Sequence, residues 1–285
     1  MMPGIPLAGW ALTRPFRADA PGLAAVAGIA GGLAAPVATN RRIAVMSLDG
    51  GAGTSAVAAG VASALSRTRP AGVLAVSAHR AARGVGWHLG LVEQAPGRPS
   101  RAPLTVEQAR ALAAPSPAGP LVLSAGDGSV SDAVDAGAWW DAVGGLTRFF
   151  DVTVTDFGRR PLPDDARHAA ERSHAVCLVS HADRYSAELA AHAASRLADG
   201  DAPVPVVLCL VDRQGLRARV APLLRSRGAA AITMPRERTL EGGRVSDGGF
   251  ATATRIAVDL LAADLLTVAR SVPAARTAPA AEVRA

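Results

Sequence analysis

The sequence predicts an α/β fold with a doubly wound, mainly parallel sheet. Short apolar runs alternate with stretches of helical periodicity along most of the 285-residue chain, which is the pattern of repeated βαβ units. Small apolar residues dominate the composition, because 49% of the residues are hydrophobic and only 4% are aromatic. Such a chain is long enough to bury one substantial core between helices and a sheet.

Seven apolar runs are predicted to form strands, and five periodic segments to form helices. The predicted strands are, in order, Ile43–Leu48, Gly72–Ser77, Leu121–Ser124, Asp151–Asp156, Ala175–Ser180, Val204–Leu210 and Ala230–Met234. The predicted helices are, in order, Thr54–Ser66, Ser131–Leu146, Ser186–Leu197, Leu216–Leu224 and Ala251–Arg270. The proline-rich stretch Leu91–Pro120 is predicted to be an irregular crossover.

These elements indicate one domain, residues 41–270, flanked by two tails. Residues 21–38 carry no charge and follow two arginines, so a signal peptide or membrane anchor is one interpretation. Four glycines and two prolines make that stretch a poor membrane span, and we expect residues 1–40 to form a flexible or loosely docked arm instead. The Pro/Ala-rich residues 271–285 are predicted to be a disordered tail.

The two cysteines, Cys177 and Cys209, each lie inside an apolar run. They are predicted to be small, buried core residues of a cytoplasmic protein, because free thiols persist in that compartment. No Cys/His spacing in the sequence indicates a metal site.

All 30 residues in the lysine-plus-arginine count are arginines, and the chain contains no lysine. The net charge of +6 is modest but uneven, since the segment Asp212–Arg244 holds eight arginines against three acidic residues. This segment is a candidate surface for DNA or an anionic membrane. A solvated helix face carries similar charges, so the charge count alone leaves both interpretations open.

A glycine-rich loop between the first predicted strand and the first predicted helix is the candidate ligand site. Glycines let its backbone N–H groups turn inward, and the positive end of the helix dipole lies at the same point, so the loop can form an anion nest. The candidate cofactor-binding residues of the loop are Gly50, Gly51, Ala52, Gly53, Thr54 and Ser55.

Two further features make the loop a candidate metal site. Ser55 stands where a loop hydroxyl would hold Mg²⁺. Asp156 ends a neighbouring predicted strand, where a carboxylate would complete the metal site. A buried acid that caps a neighbouring turn is the alternative interpretation of Asp156.

These motifs resemble the MinD/ParA family of deviant Walker P-loop ATPases, over about residues 41–270. The family loop has the form K-G-G-x-G-K-[ST], and the chain has Asp49-Gly50-Gly51-Ala52-Gly53-Thr54-Ser55 at that place. The family's D-x-D motif and the L-G after it correspond to Ser77-Ala78-His79 and Leu89-Gly90, and Asp156 matches the acid that ends the next motif strand. The resemblance implies a P-loop NTPase fold and a site for ATP or ADP with Mg²⁺.

The chain departs from that family at most of the charged positions. Asp49 and Thr54 replace the two lysines of the loop, and Ser77 and His79 replace the two acids of D-x-D. The family's adenine-contacting asparagine would fall near Cys209 and is absent too. Losing charge stabilisation at a transferring phosphoryl group costs several kcal/mol, so we do not expect hydrolysis at the family's rate.

Other residues could supply the missing positive charge. Arg80 and Arg83 follow the second predicted strand and are candidate phosphate ligands, with solvated surface arginines as the alternative. His79 is either a compensating phosphate ligand or an exposed loop histidine. The sequence leaves open whether the loop binds a nucleotide or none at all.

The resemblance implies a degenerate MinD/ParA-like protein that acts through protein partners, with a homodimer as one candidate assembly. Such a protein would work in the cytoplasm, or at the inner face of the membrane through its partners. It would be a scaffold or localisation factor for a cell-envelope, secretion, pilus or division machine.

Two other functions remain as alternatives. The first is an ATPase that uses arginine in place of lysine and binds DNA or a membrane surface. The second is an NADP-dependent Rossmann oxidoreductase, because residues 51–56 also fit G-x-G-x-x-A and Arg80 could receive the 2′-phosphate. No Tyr-x-x-x-Lys pair accompanies that motif, since the only tyrosine is Tyr185.

Overall fold

The structure, a computed structural model, describes residues 20–79, 83–92, 103–124, 136–160, 163–199, 203–215, 220–238, 243–245 and 250–273. These residues form eight strands, which are β1 (Arg41–Ser47), β2 (Val73–Ser77), β3 (Ala114–Pro115), β4 (Leu121–Ser124), β5 (Val152–Arg159), β6 (Ala175–His181), β7 (Val206–Val211) and β8 (Ala231–Met234). The same residues form nine helices, which are α1 (Ala20–Ala34), α2 (Thr54–Ser66), α3 (Val85–His88), α4 (Val106–Ala111), α5 (Ala136–Thr147), α6 (Pro163–Glu171), α7 (Arg184–Ala198), α8 (Val220–Ser226) and α9 (Thr252–Ser271).

The eight strands form one sheet in the order β3-β4-β2-β5-β1-β6-β7-β8. Every pairing is parallel except that of β3 with β4. The central strand β1 lies between β5 and β6, and all seven of its residues are buried. Helices cover both faces of the sheet, which explains why successive residues of the central strands β1, β5 and β6 are buried whichever face they point to. The predicted doubly wound, mainly parallel α/β fold is confirmed.

Side chains of β1 alternate between two cores, because successive residues of a strand point to opposite faces. Ile43 and Val45 join α1, α2 and α9 in one core. Ala44 and Met46 join α5, α6, α7 and α8 in the other. The predicted core cysteines are indeed fully buried free thiols, and both lie in the core that contains α9.

Several elements differ from the sequence prediction. Four helices and one strand were not predicted, namely α1, α3, α4, α6 and β3. Helix α4 and strand β3 fall in the stretch predicted to be irregular, of which residues 93–102 lie outside the described residues. The predicted helices Ser131–Leu146 and Leu216–Leu224 correspond to α5 and α8, and the structure describes neither residues 131–135 nor 216–219.

Helix α1 lies in the segment that the sequence analysis assigned to an N-terminal arm, and it packs on α9. Gly32 faces Ala263 closely, because a Cβ built on Gly32 would lie 3.0 Å from the Ala263 Cβ. The Arg69 guanidinium donates hydrogen bonds to the carbonyl oxygens of Leu33 and Ala35, at the C-terminal end of α1. These contacts join α1 to the domain.

The rest of the predicted arm and tail, residues 1–19 and 274–285, lies outside the described residues. Helix α9 ends at Ser271, one residue beyond the end predicted from the sequence. Among the helices that the structure describes, none combines the length and the hydropathy needed to cross a membrane.

Candidate functional site

The glycine loop, residues 48–53, joins the carboxyl end of β1 to α2 at the edge where the parallel strands end. Gly51 and Gly53 have left-handed φ angles of 73° and 90°, which residues with a Cβ rarely adopt. Gly53 precedes α2, and its carbonyl oxygen accepts a hydrogen bond from the N–H of Val57 in the first turn. The loop therefore makes the glycine-dependent strand-to-helix turn that the sequence predicted.

Thr54, which stands at the place of the loop lysine, points into the protein. Its hydroxyl donates to the Oγ of Ser47 at 2.9 Å, and the Ser47 hydroxyl donates to the carbonyl oxygen of Asp49 at 2.9 Å. Only 8% of Thr54 is exposed. The two hydroxyl groups tie β1, the loop and α2 together, so the Thr54 side chain stabilises the turn from inside and does not extend above it.

The predicted metal residues Ser55 and Asp156 come together, but a third side chain lies between them. The Nε2 atom of His79 lies 2.6 Å from Oδ2 of Asp156 and 3.2 Å from Oγ of Ser55. Asp156 is fully buried, and its other carboxylate oxygen, Oδ1, accepts a hydrogen bond from the Gly158 N–H at 3.1 Å. His79 is therefore the bridge of this site, and the interpretation as an exposed loop histidine is wrong, because its side chain is only 12% exposed.

The charges around His79 favour its protonated form. Burial disfavours the imidazolium, but the Asp156 carboxylate attracts it and accepts its hydrogen bond, and together these raise the pKa of His79 above its ordinary value despite repulsion from Arg160. His79 and Asp156 therefore form an ion pair below that raised pKa, which neutralises a carboxylate that would otherwise be costly to bury.

A β-bulge and a glycine make the room that the His79 ring occupies. The register of β1 against β5 shifts between Val45 and Met46, whose partners are Asp156 and Gly158, so that Phe157 is an extra residue in β5. Gly158 has a left-handed φ of 64°, and a Cβ built on it would lie 2.9 Å from Cδ2 of His79. The ring thus packs directly on the glycine of the bulge.

Arg159 and Arg213 contact the loop, although the sequence predicted neither of them there and indicated Arg213 only as part of the basic segment Asp212–Arg244. The Arg159 Nε donates to the carbonyl oxygen of Leu48 at 3.2 Å, and the Arg213 Nη1 donates to the carbonyl oxygen of Gly51 at 3.0 Å. Arg159 ends β5 and Arg213 follows β7, and both are exposed. Their position at, or two residues beyond, the carboxyl ends of two strands was the available signal, because the carboxyl ends of parallel strands meet at one edge of the sheet.

The two arginines that were predicted as phosphate ligands have different outcomes. Arg80 lies outside the described residues. The guanidinium of Arg83 lies 5.1 Å from the ring centroid of Trp87, on α3, and that of Arg244 lies 5.2 Å from the same ring. Arg83 therefore makes a cation–π contact with Trp87, and its role as a phosphate ligand stays a prediction.

The residues at this site do not fit a Mg²⁺ ion in the arrangement that the structure shows. Magnesium needs oxygen ligands with near-octahedral geometry. Both oxygens of Asp156 already accept hydrogen bonds, and the Ser55 hydroxyl contacts the imidazole. Among the described residues there is also no group of three or more histidine, cysteine, aspartate or glutamate side chains that could hold a metal.

Several solved structures share this fold at low sequence identity. The MinC:MinD cell division protein complex of Aquifex aeolicus matches with a TM-score of 0.58 and 16% identity, over 80% of this chain and 96% of that chain. The ParA family ATPase of Chlorobium tepidum matches with a TM-score of 0.56 and 17% identity, over 77% and 97%. The cell division ATPase MinD of Pyrococcus furiosus matches with a TM-score of 0.55 and 19% identity, over 80% and 98%.

At these identities the comparisons establish the fold alone. No protein-family model matches the chain, and no curated protein does. The chain therefore has an α/β fold built on one mainly parallel sheet. This is the MinD/ParA-like fold that its motifs indicated.

Proposed function

We propose that this protein is a degenerate member of the MinD/ParA-like proteins that lacks ATPase activity and acts as a scaffold or localisation factor. The observation that carries the proposal is that the chain has no lysine, while Thr54 at the lysine position is hydrogen-bonded inward to Ser47. No lysine of this chain, or of a second copy of it, can therefore reach a β- or γ-phosphate at the loop.

The size of that loss supports the absence of hydrolysis. Fixed electrostatic stabilisation of the transition state is usually the largest single contribution to catalysis, and removing even one hydrogen-bond donor that supplies it typically costs about 3–4 kcal/mol. Asp49 adds a carboxylate at the position of the first lysine of the family loop, and a negative charge there repels a triphosphate.

Protein partners are part of the proposal. One of the proteins with the same fold is a MinC:MinD complex, so at least one such fold assembles with a second protein. By analogy, we place this chain in the cytoplasm, or at the inner face of the membrane through its partners, at a cell-envelope, secretion, pilus or division machine. A retained fold without the loop lysines is consistent with selection for surface contacts rather than for hydrolysis.

One observation favours a second candidate function, an arginine-dependent nucleotide site. Arg159 and Arg213 both donate to carbonyl oxygens of the loop, so two guanidinium groups lie beside it. Arginine forks bind phosphate well, and they would supply positive charge without lysine. In that case the basic segment Asp212–Arg244 would offer a surface for DNA or an anionic membrane.

Nucleotide binding and hydrolysis test both candidates. Thermal unfolding of the purified full-length protein is measured with ATP, ADP or NADPH, each with and without Mg²⁺, together with phosphate release from ATP. Gly53→Asp blocks the loop, and Gly228→Asp is its matched control, because both glycines have left-handed φ angles (90° and 87°) and open space around their Cβ positions. Gly228 follows α8 and lies outside the loop.

We expect no phosphate release above the rate without protein. Phosphate release that Gly53→Asp abolishes and Gly228→Asp preserves would overturn the proposal. A rise in Tm with ATP, without phosphate release and with the same dependence on the two variants, would instead establish a nucleotide site at the loop, and its loss in Arg159→Ala/Arg213→Ala would establish that the site depends on arginine. A rise with NADPH but not with ATP would establish the Rossmann alternative.

A further inference from the structure

We propose that the imidazole of His79 occupies the metal position of the loop, so that this site is closed to divalent cations and any phosphate-bearing ligand there would bind metal-free. The proposal goes beyond the proposed function, because it concerns metal binding and holds whether or not the loop takes up a nucleotide.

The first support is that both oxygens of the Asp156 carboxylate are already engaged in hydrogen bonds. Asp156 has no exposed surface, its Oδ2 lies 2.6 Å from Nε2 of His79, and its Oδ1 accepts from the Gly158 N–H. A Mg²⁺ ion sits about 2.0–2.1 Å from each of its oxygen ligands. At a nitrogen–oxygen distance of 2.6 Å there is no space for an ion between His79 and Asp156, so an ion that binds Oδ2 of Asp156 directly must displace the imidazole.

The second support is that the Ser55 hydroxyl contacts the imidazole of His79. The same Nε2 atom lies 3.2 Å from Oγ of Ser55, so one ring nitrogen contacts both the hydroxyl and the carboxylate. This geometry also excludes a Ser-His-Asp catalytic triad here, because a triad uses two different ring nitrogens for its serine and its acid. His79 therefore contacts a hydroxyl and a carboxylate, which are both groups that can bind a metal ion, and it does not activate a nucleophile.

The third support is that neighbouring segments hold His79 in place. The backbone N–H of Ala78 donates to the Asp156 carbonyl oxygen at 2.8 Å, and the Ser77 hydroxyl donates to the His79 carbonyl oxygen at 2.9 Å. The bulge of β5 brings Gly158 beneath the ring, where a Cβ would be 2.9 Å from it. The site is thus shaped around the imidazole by backbone hydrogen bonds and by a residue that lacks a side chain.

Manganese binding tests the proposal. Mn²⁺ stands in for Mg²⁺ as an oxygen-seeking ion, and the free ion is followed by electron paramagnetic resonance during titration of the full-length protein. We expect no saturable site in the natural protein. His79→Asp removes the ring and adds a carboxylate, and it is expected to create about one saturable site per chain. The double variant His79→Asp/Asp156→Asn is expected to lose that site again.

Two further variants separate the role of the ring from a simple change of charge. His79→Gln keeps an N–H donor that can reach Asp156, and it is expected to bind no Mn²⁺, like the natural protein. His192→Asp makes the same substitution at an exposed position of α7, away from the loop, and it is expected to add no saturable site. Circular dichroism and Tm show for each variant that the fold survives. If His79→Asp does not fold, His79→Ala takes its place with the same expectation.

The proposal is overturned by saturable Mn²⁺ binding in the natural protein that Asp156→Asn abolishes. It is also overturned if the folded His79→Asp or His79→Ala variant gains no site. Either result leaves the scaffold proposal untouched, because that proposal depends on phosphate release. Phosphate release from ATP in the presence of a chelator would do the opposite, contradicting the scaffold proposal while leaving the closed metal site in place.

Discussion

Substituting Gly158 by alanine should destabilise the protein through His79, and a double-mutant cycle measures that coupling. Gly158 has a φ of 64°, and a residue with a Cβ pays roughly 1–2 kcal/mol to adopt such a conformation. The new Cβ would also lie 2.9 Å from the His79 ring and must displace it. Displacing the ring leaves the buried Asp156 carboxylate without that donor, which costs about 1–3 kcal/mol more.

The cycle separates these two contributions. In the natural background we expect Gly158→Ala to lower the free energy of unfolding by about 2–5 kcal/mol, the sum of strain and lost pairing. In a His79→Ala background only the strain remains, so the same substitution should cost roughly 1–2 kcal/mol. The difference between the two is the coupling energy of the pair.

Urea-induced unfolding, followed by far-UV circular dichroism at one pH, gives all four free energies. Gly228→Ala is the matched control, because Gly228 has a φ of 87° and no atom within 4 Å of its Cβ position, so that it reports backbone strain alone. Equal costs of Gly158→Ala in the two backgrounds, within about 0.5 kcal/mol, would refute the packing of the imidazole on the bulge.

Three further predictions concern the rest of the fold. Burial and the nearby Arg42 lower the pKa of the buried His174 to about 3. The unfolded chain therefore takes up a proton before the folded protein does, and the free energy of unfolding should fall as the pH drops from about 6.5 toward 3. His174→Asn keeps an acceptor for the backbone N–H of Arg42 and should weaken this pH dependence, measured by urea unfolding at several pH values. Arg69→Ala removes two hydrogen bonds to the end of α1 and should speed amide exchange in α1, with β1 unchanged. Trp139→Ala should cost about 3–5 kcal/mol in urea unfolding, and Trp139→Phe less, because the indole N–H has no partner among the described residues.

The strands could be predicted from the sequence because they are buried on both faces. In β6 and β7 nearly every residue is apolar, and both lie between other strands of the sheet, so the apolar run itself marks the element. The end of β5 was predicted three residues early. Its last residues include Gly158, which weakens a strand pattern, and the bulge that they form depends on pairing with β1, which is remote in sequence.

Helix α1 shows why the N-terminal region was harder to predict. It consists of small apolar residues with four glycines, which lower intrinsic helix propensity, and it carries no charged residue to mark an exposed face. Gly32 faces Ala263 of α9 so closely that a larger side chain at position 32 would crowd Ala263. This packing accounts for the glycine at that position and stabilises α1. Tertiary packing therefore outweighs local propensity, and the packing partner lies more than 200 residues away in the sequence.

The position of the candidate site in the fold could be predicted from the sequence, but the contacts among its side chains could not. The glycine loop follows β1 as predicted, and Ser55 and Asp156 both contact His79 near the carboxyl edge of the sheet, while their role in binding a ligand stays a prediction. The bridge by His79 was not foreseen. The bridge depends on the bulge beside Asp156, which shifts the pairing of β5 with β1 by one residue. A single sequence carries no signal for that shift in register.

On the two proposals made above, the absence of lysine and the His79–Asp156 pair are separate obstacles to ATP hydrolysis at the loop, and together they predict how hydrolysis could be introduced. Asp49→Lys and Thr54→Lys would return both charges of the family loop, yet Asp156 would still be held by His79 and unable to take a metal. His79→Asp would free Asp156, yet the loop would still lack its lysines. Since charge and metal act on the same phosphoryl group, neither repair alone should raise phosphate release above the background, and only the triple variant should do so. Hydrolysis by the lysine double variant alone would show that the imidazole leaves Asp156 readily, and hydrolysis by His79→Asp alone would show that arginines such as Arg213 already serve as the missing cation.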